Sequence, residues 1–192
     1  MKTTLNTSLS MILMLITVSL FTLACGQNKS KETASTSVKV EQPKMNIHEA
    51  IIAGNYEAFQ QHIEAKTDID LVEPMGGSTP LMTAITFDKG KMVKALINAG
   101  ADLEIQNNDG GTALHNAAFF GKVEMVQLLI DAGADKSIKN KYGATPRETV
   151  LGDFKDIKPI YDMLILQLQP MGFNLDLEQV EKARPVIAMM LE

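Results

Sequence analysis

Tryptophan is absent from the 192 residues, cysteine occurs once and histidine three times. The single cysteine, Cys25, excludes an intramolecular disulfide. His48, His62 and His115 stand in no ligand spacing with one another or with the cysteine, so no zinc-type site is offered. The chain also lacks a G-x-S-x-G elbow, a Walker loop, G-x-G-x-x-G and H-E-x-x-H; "HEAII" at 48–52 misses the second histidine. With no nucleophile placed beside a base, no catalytic residue, cofactor or metal is expected. A basic excess is missing too: 18 Lys and Arg face 23 Asp and Glu, a formal charge of −5. Nucleic acid and anionic headgroups are therefore poor primary partners. No apolar run reaches the roughly twenty residues of a membrane span.

What is present describes one globular domain with attachments, since 45% of the residues are apolar and 21% charged. The N-terminus carries Lys2, then an apolar run from Leu9 to Ala24, then Cys25. That is the layout of a secretory signal peptide over residues 1–24. With Leu23 and Ala24 before the cysteine, the stretch resembles a bacterial lipoprotein signal, although Thr22 stands where leucine is usual. The resemblance implies lipidation of Cys25 and a membrane anchor; the other reading is a simply cleaved signal followed by a free thiol. Export places the protein in the bacterial envelope, at the periplasmic face or the outer membrane. Residues 25–44, rich in Lys, Ser, Thr and Glu, read as a flexible linker reaching roughly 25 Å. Loss of residues 1–24 would take the formal charge from −5 to −6.

From Met45 the sequence repeats itself. Thr79, Thr112 and Thr145 are 33 apart, "GSTPLMTAI" returns as "GGTALHNAA" and "YGATPRETV", and "ALINAGADLEIQN" returns as "LLIDAGADKSIKN". An earlier copy, starting "NIHEAIIAGN", aligns at a spacing of 34, with the extra residue before Thr79. A fixed period of this length means a solenoid. Thr79 and Thr112 suit helix N-caps, Pro80 suits the first turn, and Gly54, Gly121, Gly100 and Gly133 fall where left-handed caps end helices. Met92, Val93, Leu96 and Ile97, like Met125, Val126, Leu129 and Ile130, form buried helical stripes. Each copy is thus a helix, a tight turn, a second helix and a polar loop with Asn107 to Gly110 as its turn.

These residues resemble the ankyrin repeat, whose T-P-L-H-x-A signature is met by "TPLMTA" at 79–84 and "TALHNA" at 112–117. The resemblance implies an all-α ankyrin solenoid over 45–192, with repeats at about 45–76, 77–109, 110–142 and 143–170 and a helical cap at 171–192. "LGDFKDIKPIYDMLILQLQ" reads as an inserted and longer version of the second helix of the fourth repeat. Asp176 and Gln179 suit a capping box for the final segment, whose Leu177, Val180, Ile187 and Leu191 close the stack and which Pro185 breaks or kinks. His115 and the periodic Asp102 and Asp135 read as structural.

The resemblance further implies that partners meet a concave surface of loop fingers and first helices. On this chain those positions are Met75, Gly76, Ser78, Asn108, Asp109 and Gly111 on the fingers, and Thr86, Phe87, Phe119 and Phe120 at the first helices. Small residues already fill the core beside Leu114, so Phe119, Phe120 and Phe87 read as an exposed apolar strip with a polar rim. Alternatively, one ring folds onto the neighbouring repeat. The functional expectation is a lipid-anchored, monomeric module that binds an unidentified protein. The alternatives are an immunity or inhibitor protein blocking a toxin or hydrolase, and a small enzyme or enzyme subunit. The last would need a polar pocket with shifted acids between the array and residues 151–192.

Overall fold

The computed structural model describes residues 43–192; the signal segment, Cys25 and nearly all of the linker lie outside them. Helices α1 (Ile47–Ile52) and α2 (Tyr56–Glu64) make the first pair, α3 (Pro80–Thr86) and α4 (Gly90–Asn98) the second, α5 (Ala113–Phe119) and α6 (Val123–Asp131) the third. A single 3-10 turn, Glu148–Val150, then leads to α7 (Phe154–Leu168), a second 3-10 turn (Gln169–Met171) and α8 (Leu177–Met190). No strand occurs among the described residues, and the fold is an all-helical ankyrin-type solenoid.

Local chemistry sets each start and stop. The Thr79 hydroxyl accepts from Met82 N–H at 3.2 Å, with Pro80 at the first helical position. Each first helix ends in a residue at positive φ: Gly54 and Gly121 at +67°, and Asp88 at +57° in the second pair. Aspartate tolerates this region better than most side chains. Its carboxylate also bridges Lys122 of the next repeat at 2.9 Å. Successive helices then stack: α1 packs on α3 and α3 on α5, while α4 packs on α6. Their contact faces form one continuous core through Ile51, Leu81, Ile85, Val93, Leu96, Leu114, Val126 and Leu129.

The fourth repeat is divided differently from the expected 143–170 plus cap. Thr145 and Glu148 cap one another, Thr145 N–H donating to the carboxylate at 2.7 Å, but the helix they start lasts one turn. That turn packs on α5 as α5 packs on α3, and α8 packs on both the turn and α6. Helix α8, not α7, therefore stands where the second helix of a fourth repeat belongs. Its Ala183, Ile187, Ala188 and Leu191 join the continuous core. The helix runs unbroken through Pro185, held on its inner side by these neighbours. Residues 151–176, including α7, are an insertion between the two helices of that repeat.

Candidate partner-binding surface

Each finger is closed by one side chain that gathers backbone N–H groups. Asn107 Oδ1 accepts from Asp109 at 3.0 Å and Gly111 at 2.8 Å, and Asn140 Oδ1 does the same for Tyr142 and Ala144, both at 3.0 Å. In the first finger, one residue longer, Glu73 takes this place with its longer side chain. Its carboxylate accepts from Met75 (2.7 Å), Gly76 (2.7 Å) and Ser78 (3.0 Å). Burial would raise the Glu73 pKa, yet these three N–H groups together hold it below the ordinary carboxylate value.

The fingers stack on one another: Asn108 N–H donates to Gly76 O at 2.8 Å and Lys141 N–H to Asp109 O at 2.9 Å. Glycine is required at the contact, because a Cβ on Gly110 would lie 2.8 Å from Lys141 N, and one on Gly77 2.7 Å from Asn108 Oδ1. Along the tips, Met75 is 89% exposed and Tyr142 79% exposed, with exposed Asn108 and Asp109 between them. Tyr142 OH reaches Asp109 Oδ1 at 3.4 Å. Tyr142 was not among the expected contact residues, although it follows Asp109 by one period of 33. Ser78 is half-buried. Gly111 is buried, its N–H spent on Asn107, and is not available as a contact as expected.

At the other edge of the first helices the expected exposed strip is covered. Phe120 is only 5% exposed, and Phe119 and Phe87 are partly buried. What covers them is the insertion. Tyr161 packs against Phe119 with the rings tilted by 33° and their centroids 4.6 Å apart, and Phe173 sits edge-on between Phe120 (5.7 Å) and Phe87 (6.0 Å). Adjacent rings that one helix face could not bury are buried by a second element arriving from outside the repeat. Tyr161 OH donates to Phe119 O at 2.6 Å, filling one of the carbonyls that the end of α5 leaves open. Burial raises the Tyr161 pKa, partly opposed by the nearby Arg184 guanidinium. Thr86 is likewise committed, donating to Met82 O (3.0 Å) and accepting from Asn116 Nδ2 (2.8 Å) across the repeat boundary.

The histidine and aspartates do structural work. His115 Nδ1 accepts from Thr112 N–H at 3.1 Å, so Nε2 carries the hydrogen donated to Ala144 O at 3.0 Å, tying the third repeat to the fourth. Burial lowers its pKa. Asp102 and Asp135 accept from Glu104 N–H and Ser137 N–H, both at 2.8 Å.

Between the 147–154 segment and α8 lies a pocket of about 400 Å³ lined by Arg147, Glu181, Arg184 and Glu192 among apolar walls. Arg147 pairs with Glu192 at 3.0 Å, and Arg184 donates to Gly152 O at 2.8 Å. Nothing in it pairs a nucleophile with a base. Among the described residues no cluster of three or more His, Cys, Asp or Glu could hold a metal, and no helix is long and apolar enough to cross a membrane.

Helix pairs turned by a left-handed residue, stacked in register and edged by interlocked loop tips, define an ankyrin-repeat array with a finger surface. The sequence agrees: residues 47–140 match the family model of ankyrin repeats, three copies. Among solved structures, the chain is similar to the ankyrin repeat domain of Bcl-3, a unique member of the IkappaB protein family, at 34% identity and a TM-score of 0.52. That match covers 54% of this chain and 45% of the other, so it spans less than half of the solved domain. No curated protein matches the sequence.

Proposed function

We propose that the protein is a lipid-anchored ankyrin module that binds another protein in the bacterial envelope and has no chemistry of its own. The ankyrin array supports protein binding in general. The observation that carries this reading is the finger row, where Met75 and Tyr142 expose apolar side chains at either end of Asn108 and Asp109 on a backbone fixed by cross-repeat hydrogen bonds. A rigid row of this kind loses little freedom on binding, and large apolar or aromatic residues with polar neighbours supply anchors.

The anchor is tested by labelling with a fatty-acid analogue: wild type takes up label and Cys25→Ser does not, whereas an unlabelled wild type removes the lipid from the account. The surface is tested by affinity capture from detergent-solubilised envelope, comparing wild type with the Met75→Ala, Tyr142→Ala double variant. A prey held by the first and lost by the second is expected. Identical captures by both would reject the finger row.

A further inference from the structure

The insertion is joined to the array differently from every other element. Its Tyr161, Phe173 and Leu175 form a small cluster with Phe120 at the end of α5 and Val180 of α8, distinct from the core that runs through the repeats. Of the fifteen residues of α7 only Tyr161 is buried, and Ile160, Met163 and Leu166 face outward. Pro159 lies inside the helix, where it can donate no backbone hydrogen bond. At the base of the insertion Arg184 of α8, 5% exposed, holds Gly152 O and lies near the Phe154 ring. With one fully buried side chain, and with Phe154, Ile157, Leu164, Ile165 and Leu168 only partly covered, α7 has the sparse packing of an element of low local stability. The array does not need it for closure, because α8 packs on α6 and on the Glu148–Val150 turn directly.

We propose that residues 153–175 are a displaceable strap over an aromatic docking site made by Phe87, Phe119 and Phe120, and that the site's external occupant is a peptide segment of the strap's own form, a helix carrying one aromatic ring followed by an extended stretch carrying a second. The chain itself supplies the template for that occupant: a helix that inserts Tyr161 against Phe119, followed by Phe173 between Phe87 and Phe120. Opening the strap uncovers three rings at the ends of two first helices, beside half-buried Thr86 and Asn116. A partner segment of that form, with its helix ring on Phe119 and its second ring in the place of Phe173, which lies beyond α7 and outside any helix, replaces the strap ring for ring. Because the strap is tethered, an incoming segment competes with a high local concentration of the chain's own segment, so the site is closed to weak ligands and open to strong ones.

The proposal is independent of the finger row, since its probe is the chain's own segment. Hydrogen exchange of the full-length protein is expected to show residues 154–168 exchanging at least ten-fold faster than α3 to α6 and α8. Exchange of α7 as slow as α8, or opening of both together, would contradict a displaceable strap. In a second arm, a fluorescent synthetic peptide of residues 153–175 is titrated into full-length wild type and into the Tyr161→Ala, Phe173→Ala double variant, which leaves the docking rings intact. Binding at least ten-fold tighter to the variant is expected. Equal affinities, or no binding by a variant that still unfolds cooperatively, overturns the docking site; if the variant does not fold, the exchange arm decides.

Discussion

Repeat three passes from its first helix to its second through Phe120, Gly121 and Lys122, whereas repeat four makes the same passage through residues 151–176. The two repeats nonetheless place their second helices alike, α6 against α4 and α8 against α6. An ankyrin stack is thus held by the faces of its helices and tolerates a long detour at the turn between them, because each repeat contacts only its neighbours. The detour has a local consequence. It folds back over the turn of repeat three, which is why Phe119 and Phe120 are covered there.

The comparison is broken most readily at Phe120. Phe120→Ala should cost about 3–5 kcal/mol in denaturant unfolding, the range for a buried ring; a loss within about 0.5 kcal/mol, as at exposed positions, would mean that the ring is not covered. Next in size, Ile187→Ala in α8 should cost about 2–5 kcal/mol, while Ile160→Ala on the outer side of α7 should stay within about 0.5 kcal/mol. Equal costs would make α7 as integral to the stack as α8. Gly121→Ala combines positive φ with a Cβ 3.0 Å from Val180 Cα, so it should destabilise by more than about 1 kcal/mol. Gly133→Ala, at positive φ in open space, should cost less, and both are read from thermal unfolding.

The smallest effect expected is the pH dependence from His115. Its folded pKa lies below the ordinary histidine value of 6.5, so the neutral ring is the stabilising form. That contribution is complete above pH 6.5 and is lost as pH falls from there through the lower folded value. His115→Met, which copies the buried Met82 of repeat two, should remove this part of the slope between pH 7.5 and 5.5. An unchanged slope would place the titration elsewhere.

The stack was legible because its signals are local and repeated. Threonine caps, glycines at positive φ and apolar stripes recur with the period, and the extra residue before Thr79 is accommodated by Glu73 doing the work of Asn107 and Asn140. The finger positions followed from the same period, which also reaches Tyr142, the one exposed ring on the row. That the inserted stretch leaves the stack, with α8 taking the place of the second helix, was not legible in that way. "FKDIKPIYDMLILQL" has the length and apolarity of a repeat's second helix, and nothing local separates a helix that stacks from one that detours. Nor does the spacing of Phe119 and Phe120 reveal that rings forty or more residues away, Tyr161 and Phe173, will cover them. Non-local packing decided both.

The chain covers its own aromatic groove and leaves the finger tips open. Hydroxyl-radical footprinting of the unaltered protein tests it side chain by side chain, with each rate normalised to the urea-unfolded chain. Met75 and Tyr142 should react nearly as fast folded as unfolded, whereas Phe120 should be protected at least ten-fold and Phe119 and Phe87 partly. Rings at 87, 119 and 120 as reactive as Tyr142 would contradict the account.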